Sequence, residues 1–103
     1  MHAFDVLGDP VRRRILELLA DREHASGEVV EVIQAEFGLS QPAVSQHLKV
    51  LKEVGLVLDE QQGTRRLYRV DPDGLAVLRR HLDDFWKRSL GAFEQRTRGD
   101  SDD

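Results

Sequence analysis

The sequence GLSQPAVSQHLKVLKEVGLV, residues 38–57, contains the helix that decides the fold. Three apolar residues recur in it at helical spacing and predict a buried stripe: Val44, Leu48 and Leu51. Ser40 is a favourable N-cap, and Pro42 lies in the first turn, where its missing N–H costs little. We therefore predict a helix from Gln41 to Val54 that ends near Gly55.

Helical patterns also precede this stretch. The dipeptide Asp9-Pro10 places a cap residue before a proline at the first helical position. The apolar residues that follow it repeat at helical spacing: Val11, Ile15, Leu18 and Leu19. A second helix is predicted from Gly27 to Phe37, with Gly38 as its stop. Apolar residues at the start of the chain predict a short opening helix: Phe4, Val6 and Leu7.

After Gly55 the period of the pattern changes. Residues 56–60 and 65–70 predict two short strands joined by the turn sequence QQGT, residues 61–64. A long amphipathic helix is predicted from Gly74 to Arg96. Residues 98–103 are polar and are expected to fray, so residues 1–97 are predicted to form a single domain.

The predicted fold class is mainly α with a small β-hairpin, in the order α-α-α-α-β-β-α. Two helices joined by Gly38, Leu39 and Ser40 and followed at once by a hairpin have the layout of a winged helix-turn-helix. In that layout the first helix of the pair braces the second. The second helix then presents its outer face to the major groove of DNA.

The outer face of the helix from Gln41 suits double-stranded DNA. Its first turns carry Gln41, Ser45 and Gln46, which can hydrogen-bond base edges, and Pro42, which can touch a thymine methyl. Ser40 at the helix start favours a phosphate, and further cationic or polar groups are predicted to reach the DNA backbone: Lys49, Lys52, Thr64, Arg65 and Arg66. His47 suits either a phosphate contact or a structural hydrogen bond. The run Arg12-Arg13-Arg14 is expected to pair with Asp9 or Glu17.

The distribution of charge supports this surface. The 15 basic and 19 acidic residues sum to −4, yet residues 39–69 alone carry five basic against three acidic side chains. This middle third is the one net-basic segment, so a polyanion should meet it first. The acidic remainder should keep non-specific DNA affinity low. The absence of cysteine excludes a disulfide scaffold and a thiol nucleophile, and no apolar run is long enough for a membrane span.

Three segments together resemble the ArsR-type winged-helix repressors of bacteria: LGDPVRRRILELL, GLSQPAVSQHLKVLKEVGLV and GTRRLYRVD. They occur in the family's order over roughly residues 4–72. The resemblance implies a homodimer that binds an inverted-repeat operator and represses transcription. It also implies that residues 40, 41 and 45–47 lie in the recognition helix and residues 64–66 in the wing. The expected location is the cytoplasm.

The chain departs from the family in two places. The Cys-x-Cys pair that many family metal sensors carry is missing, and the helix from residue 27 is about one turn longer than usual. His81 and Asp84 have i, i+3 spacing, with Asp71 and Asp73 upstream, but zinc prefers more nitrogen or sulfur donors. We therefore predict no metal site and no cofactor. Any small-molecule or metal effector is left unassigned.

The last helix has more large apolar residues than a small domain needs for its core. Together with the opening helix it predicts a homodimer interface formed by Phe4, Leu7, Leu78, Leu82, Phe85, Trp86 and Phe93. The alternative function is a winged-helix module that binds a protein and no DNA. An enzyme is not predicted, because the sequence lacks a phosphate-binding glycine loop, a thiol and a histidine-rich ligand set.

Overall fold

The computed structural model describes residues 3–101, without the side chains of residue 4 and residues 92–101. The elements run in the order α1 (Ala3–Val6), α2 (Pro10–Asp21), β1 (His24–Ala25), α3 (Ser26–Phe37), α4 (Gln41–Glu53), β2 (Val57–Gln62), β3 (Arg65–Val70) and α5 (Pro72–Ser101). The predicted fold class is confirmed, and β1 is an addition to it. The predicted interface side chains of Phe4 and Phe93 lie outside the described part of the chain.

Helix boundaries follow the predicted capping residues. The Asp9 carboxylate accepts a hydrogen bond of 2.8 Å from the Val11 N–H at the start of α2. The Ser40 hydroxyl accepts one of 3.3 Å from the Ala43 N–H at the start of α4. Gly38 ends α3 in the left-handed conformation with φ of 69°, which a residue with a Cβ rarely adopts. A short, sharp connection therefore joins α3 to α4.

A three-stranded antiparallel sheet lies beside the helices, with strand order β1-β3-β2. The hairpin register pairs Val57 with Val70 and Gln62 with Arg65, so the turn consists of Gly63 and Thr64 alone. Gly63 has φ of 61°, as the first central residue of a tight hairpin turn requires. The strand β1 pairs His24 with Tyr68 on the other side of β3. A strand of two residues is too short for a periodic signal, which is why the sequence did not predict it.

The core lies where α2, α3, α4, the base of the hairpin and the start of α5 meet. It contains Val6, Val11, Ile15, Leu19, Val29, Ile33, Val44, Leu48, Leu51, Leu56, Val57 and Leu78. Leu78 is only 5% exposed in the single chain. Its prediction as an interface residue is therefore corrected: its own chain already covers it. The helix α5 also starts before the predicted Gly74 and extends beyond Arg96.

Candidate nucleic-acid interface

The helix α4 is fixed in place by its inner face. Val44, Leu48 and Leu51 are almost fully buried, with Leu48 only 2% exposed. The opposite face is exposed to solvent and comprises Gln41, Pro42, Ser45, Gln46, Lys49 and Lys52. Because burial of the inner stripe fixes the rotation of the helix, the polar residues of its first two turns share one accessible surface. The structure thus brings the predicted base-reading residues together.

His47 forms a structural hydrogen bond at the edge of this surface. Its Nδ1 accepts a hydrogen bond of 3.2 Å from the Arg12 guanidinium, which belongs to the first turn of α2. Of the two interpretations of His47, this contact favours the structural hydrogen bond. The bond links the recognition helix to α2, and the contact of His47 with phosphate stays a prediction.

The wing, formed by β2, β3 and the turn between them, carries exposed polar groups beside α4. Thr64 lies exposed in the turn, and Arg65 and Arg66 follow it on β3. Both arginines are held by carboxylates. Arg65 Nη2 lies 3.2 Å from Glu28 Oε1 on α3, and Arg66 Nη1 lies 2.7 Å from Asp59 Oδ2 on β2. The sequence predicted these arginines as phosphate contacts and did not predict their acidic partners.

Lys52 in the last turn of α4 shares the partner of Arg66. Its Nζ lies 2.9 Å from Asp59 Oδ1, so one carboxylate joins the recognition helix to the wing. The hydrogen bond from Lys52, followed by that from Arg66, lowers the pKa of Asp59 below its ordinary value. Asp59 therefore stays ionised at neutral pH. In the sequence it was one acidic residue on a strand, and only the hairpin geometry brings the two cations to it.

Two carboxylates of α3, Glu36 and Glu28, pair with arginines in or directly after α2. Arg14 lies 2.8 Å from Glu36 on α3 and 3.4 Å from Glu17 on its own helix. The expected pairing of the arginine run with Glu17 is therefore confirmed for Arg14, and the shorter contact to Glu36 was not predicted. The Arg14 hydrogen bond lowers the pKa of Glu36, and the corresponding bond from Arg22 lowers the pKa of Glu28. These exposed pairs add little to stability, and α3 is positioned chiefly by its buried residues Val29 and Ile33.

A second accessible surface is apolar and lies along α5. Three large apolar side chains are exposed there, and Trp86 is the most accessible at 59%: Phe85, Trp86 and Leu90. Phe85 and Trp86 meet edge to face, with ring centroids 6.5 Å apart. The adjoining grooves are lined by apolar residues that include the half-buried Leu7, Leu75 and Leu82. Of the predicted interface residues, the structure thus places Leu7, Leu82, Phe85 and Trp86 at one accessible surface.

A metal site and a membrane-spanning helix are two other features that a helical protein can contain. Among the residues whose side chains the structure describes, no group of three or more histidine, cysteine, aspartate or glutamate side chains is placed to hold a metal ion. No helix among the same residues is long and apolar enough to cross a membrane.

The chain contains a helix-turn-helix followed directly by a hairpin wing, which defines the winged helix-turn-helix class. Comparison with known proteins confirms that the chain belongs to this class. The model of the bacterial regulatory protein family arsR matches residues 9–58. The chain is 48% identical to the HTH-type transcriptional regulator Rv2034 of Mycobacterium tuberculosis, over 98% of this chain and 91% of the relative. The chain belongs to the arsR family, whose members are DNA-binding transcriptional regulators and not enzymes. None of its 103 residues is cysteine, so the cysteine metal-sensing motif is missing.

Solved structures agree with this assignment. The crystal structure of a possible transcriptional regulator for arsenical resistance superposes with a TM-score of 0.74 and 39% identity, covering 88% of this chain and 95% of that one. The solution structure of Mb0332 from Mycobacterium bovis is described as a homodimeric winged helix-turn-helix DNA-binding domain. It superposes with a TM-score of 0.61 and 29% identity, over 84% of this chain and 76% of that one.

Proposed function

We propose that this regulator is a homodimeric repressor that binds an inverted-repeat operator in the cytoplasm and blocks a promoter. In each protomer α4 enters the major groove and the wing lies on the adjacent backbone. Two copies related by a two-fold axis place their α4 helices in successive major grooves, about 10 base pairs apart. Operator symmetry then follows from protein symmetry.

The accessible face of α4 is the observation that carries this proposal. It offers uncharged hydrogen-bonding groups from Gln41, Ser45 and Gln46 near the helix start and the ammonium group of Lys49 one turn later. Glutamine side chains suit base edges, whereas a lysine further along the helix suits phosphate. The rigid inner stripe supports base reading because it holds these groups at fixed angles.

The apolar surface of α5 supports the dimer. Large exposed apolar side chains that cluster on one helix mark an interaction surface, and a closed homodimer is the commonest way to cover such a surface. Phe85, Trp86 and Leu90 of α5 are about half exposed in the single chain, so a second α5 can pack along them. The M. bovis neighbour, described as homodimeric, gives the same indication.

Base reading is tested by comparing two glutamine-to-alanine variants. The wild-type chain is titrated by fluorescence anisotropy against DNA from upstream of its own gene and against a random-sequence duplex. Gln46→Ala should weaken the upstream site by about 1–3 kcal/mol and spare random DNA. Gln34→Ala, which alters an exposed glutamine of α3, is the matched control and should change neither.

The possible outcomes of this titration separate the candidate functions. Equal losses of Gln46→Ala on both DNAs would refute base reading by that residue. A wild-type chain that binds neither DNA at low salt would refute the proposal and favour the protein-binding module.

The dimer is tested by sedimentation at micromolar concentration. Trp86→Glu places a charge on the apolar surface and should shift the wild-type dimer towards the 11.7 kDa monomer. Phe37→Glu makes the same kind of change at an exposed aromatic residue on α3 and should leave the dimer intact. A wild-type chain that sediments as a monomer would overturn both the dimer and the inverted-repeat operator.

A further inference from the structure

We propose that Asp59 limits sequence-independent DNA binding: it competes with DNA phosphates for Lys52 and Arg66 and so weakens the contact of the protein with any DNA backbone. This inference rests on the proposed DNA binding. A carboxylate cannot itself attract DNA. Here it would control how strongly α4 and the wing bind any DNA backbone.

The geometry of the three side chains supports this competition. The Asp59 side chain is only 9% exposed, while those of Lys52 and Arg66 are 52% and 45% exposed. Both carboxylate oxygens are used: Lys52 Nζ lies 2.9 Å from Oδ1, and Arg66 Nη1 lies 2.7 Å from Oδ2. The two cations are therefore accessible to a phosphate, whereas the anion between them is fixed beneath the surface.

The fixed position of Asp59 comes from the sheet. Asp59 pairs with Tyr68 and Gln61 pairs with Arg66, so Asp59 and Arg66 share one face of the hairpin. Lys52 reaches the same point from the last turn of α4. A phosphate that approaches either cation must displace a hydrogen bond to Asp59 or share the cation with it.

The expected magnitude follows from the charge balance. Two cations and one anion leave a net charge of +1 at this point instead of +2. One phosphate contact contributes about 0.9 to the slope of log affinity against log salt, which corresponds to about a fivefold change in affinity at about 0.15 M salt. Base reading by Gln41 and Gln46 uses uncharged groups, so this electrostatic loss applies to operator and random DNA alike.

The test measures binding to a random-sequence duplex of about three helical turns at several salt concentrations. Asp59→Asn keeps the shape of the side chain and removes its charge. It should bind this duplex about fivefold more tightly at about 0.15 M salt, with a salt slope steeper by about 0.9. Binding to the upstream fragment should tighten by a similar factor, because phosphate contacts do not depend on sequence. Asp59→Glu keeps the charge and should restore wild-type values, which a purely structural role of the side-chain shape would not predict.

Glu60→Gln provides the matched control. Glu60 is the next residue of β2, is exposed, and pairs with Leu67 on the other face of the hairpin. Its substitution removes the same charge without releasing Lys52 or Arg66, so random-duplex affinity should change less. Equal effects of Asp59→Asn and Glu60→Gln would overturn the proposal, as would an Asp59→Asn variant with unchanged or weaker random-duplex binding.

A second comparison leaves Asp59 in place and applies even if Asp59→Asn fails to fold. Lys52 must give up or share its hydrogen bond to Asp59 to bind phosphate, whereas Lys49 has no ion pair within the described residues. Lys52→Gln should therefore cost less random-duplex affinity than Lys49→Gln, and a cost at least as large would overturn the proposal. Failure of the wild-type chain to bind any DNA is a different result, and it would refute the proposed function itself.

Discussion

Gly74 lies where the first turn of α5 crosses the corner between α4 and β2. A Cβ atom at this position would lie 1.8 Å from the carbonyl oxygen of Gly55 and 2.8 Å from its carbonyl carbon. The Asp71 N–H donates a hydrogen bond of 2.9 Å to the Leu56 carbonyl at the same crossing. Substitution Gly74→Ala therefore places a methyl group inside a backbone contact that no side-chain rotation can relieve.

The magnitude follows from two opposing effects. In an open helix, Gly→Ala stabilises by about 1 kcal/mol because alanine is the better helix former. Here the contact must lengthen from 1.8 Å to at least 3.4 Å, the lower limit of ordinary contact, so α5 must shift away from the corner. Overpacking of this kind costs about 1–3 kcal/mol and sometimes more, and the shift also loosens the packing of Leu78. Because backbone atoms at the corner cannot rotate away, we take the upper end of this range, about 3 kcal/mol, and after the gain of about 1 kcal/mol from alanine we expect a net loss of about 2 kcal/mol.

Urea unfolding at a fixed protein concentration measures this loss, because the stability of a dimer depends on concentration. In a thermal scan the same loss lowers Tm by roughly 8–16 °C. Gly91→Ala is the matched control on the same helix: its Cβ would meet nothing within 4 Å, so it should stabilise by up to about 1 kcal/mol. If Gly74→Ala were as stable as wild type while Gly91→Ala behaved as expected, the close approach of the two backbones would be refuted.

Three further predictions concern the core, a helix cap and the ion pairs. Leu48→Ala should cost about 2–5 kcal/mol in urea unfolding because Leu48 is buried beneath α4, whereas Leu58→Ala, at an exposed position, should cost under about 1 kcal/mol. Asp9→Ala removes the acceptor of the Val11 N–H and should cost about 0.5–2 kcal/mol in the same assay; Asp9→Asn, which retains a capping oxygen, should lose less. The folded state lowers the pKa of Asp59, so Asp59 stabilises fully above the pKa of the unfolded carboxyl, about 3.9. The difference in unfolding free energy between wild type and Asp59→Asn should shrink as pH falls below about 4, and a difference that grows there would contradict the assignment.

The main elements could be predicted from the sequence because their signals are local. The stripe of Val44, Leu48 and Leu51 repeats at the helical period, and Asp9, Ser40 and Gly38 are residues that begin or end helices. The hairpin could be predicted because the period of the apolar pattern changes on both sides of a turn that contains glycine. These signals depend on neighbours within about one or two turns of the chain, so they do not require knowledge of the tertiary fold.

Other features depend on residues that only folding brings together. The two-residue strand β1 exists because β3 offers it a free edge, and Leu78 is a core residue because α5 returns to the helices. Asp59 gains two cations from elements on either side of it in the chain. None of these contacts produces a periodic pattern in the sequence, so none of them could be predicted from it.

Local sequence patterns were enough to identify a helix-turn-helix with a wing and the residues that face outward from its second helix. They also showed that positive charge is concentrated there. The partners of these charges became clear from the folded structure, because each ion pair depends on the distance between elements. The folded structure likewise showed that Leu78 is covered and Trp86 exposed, since burial depends on which surfaces meet when the chain folds.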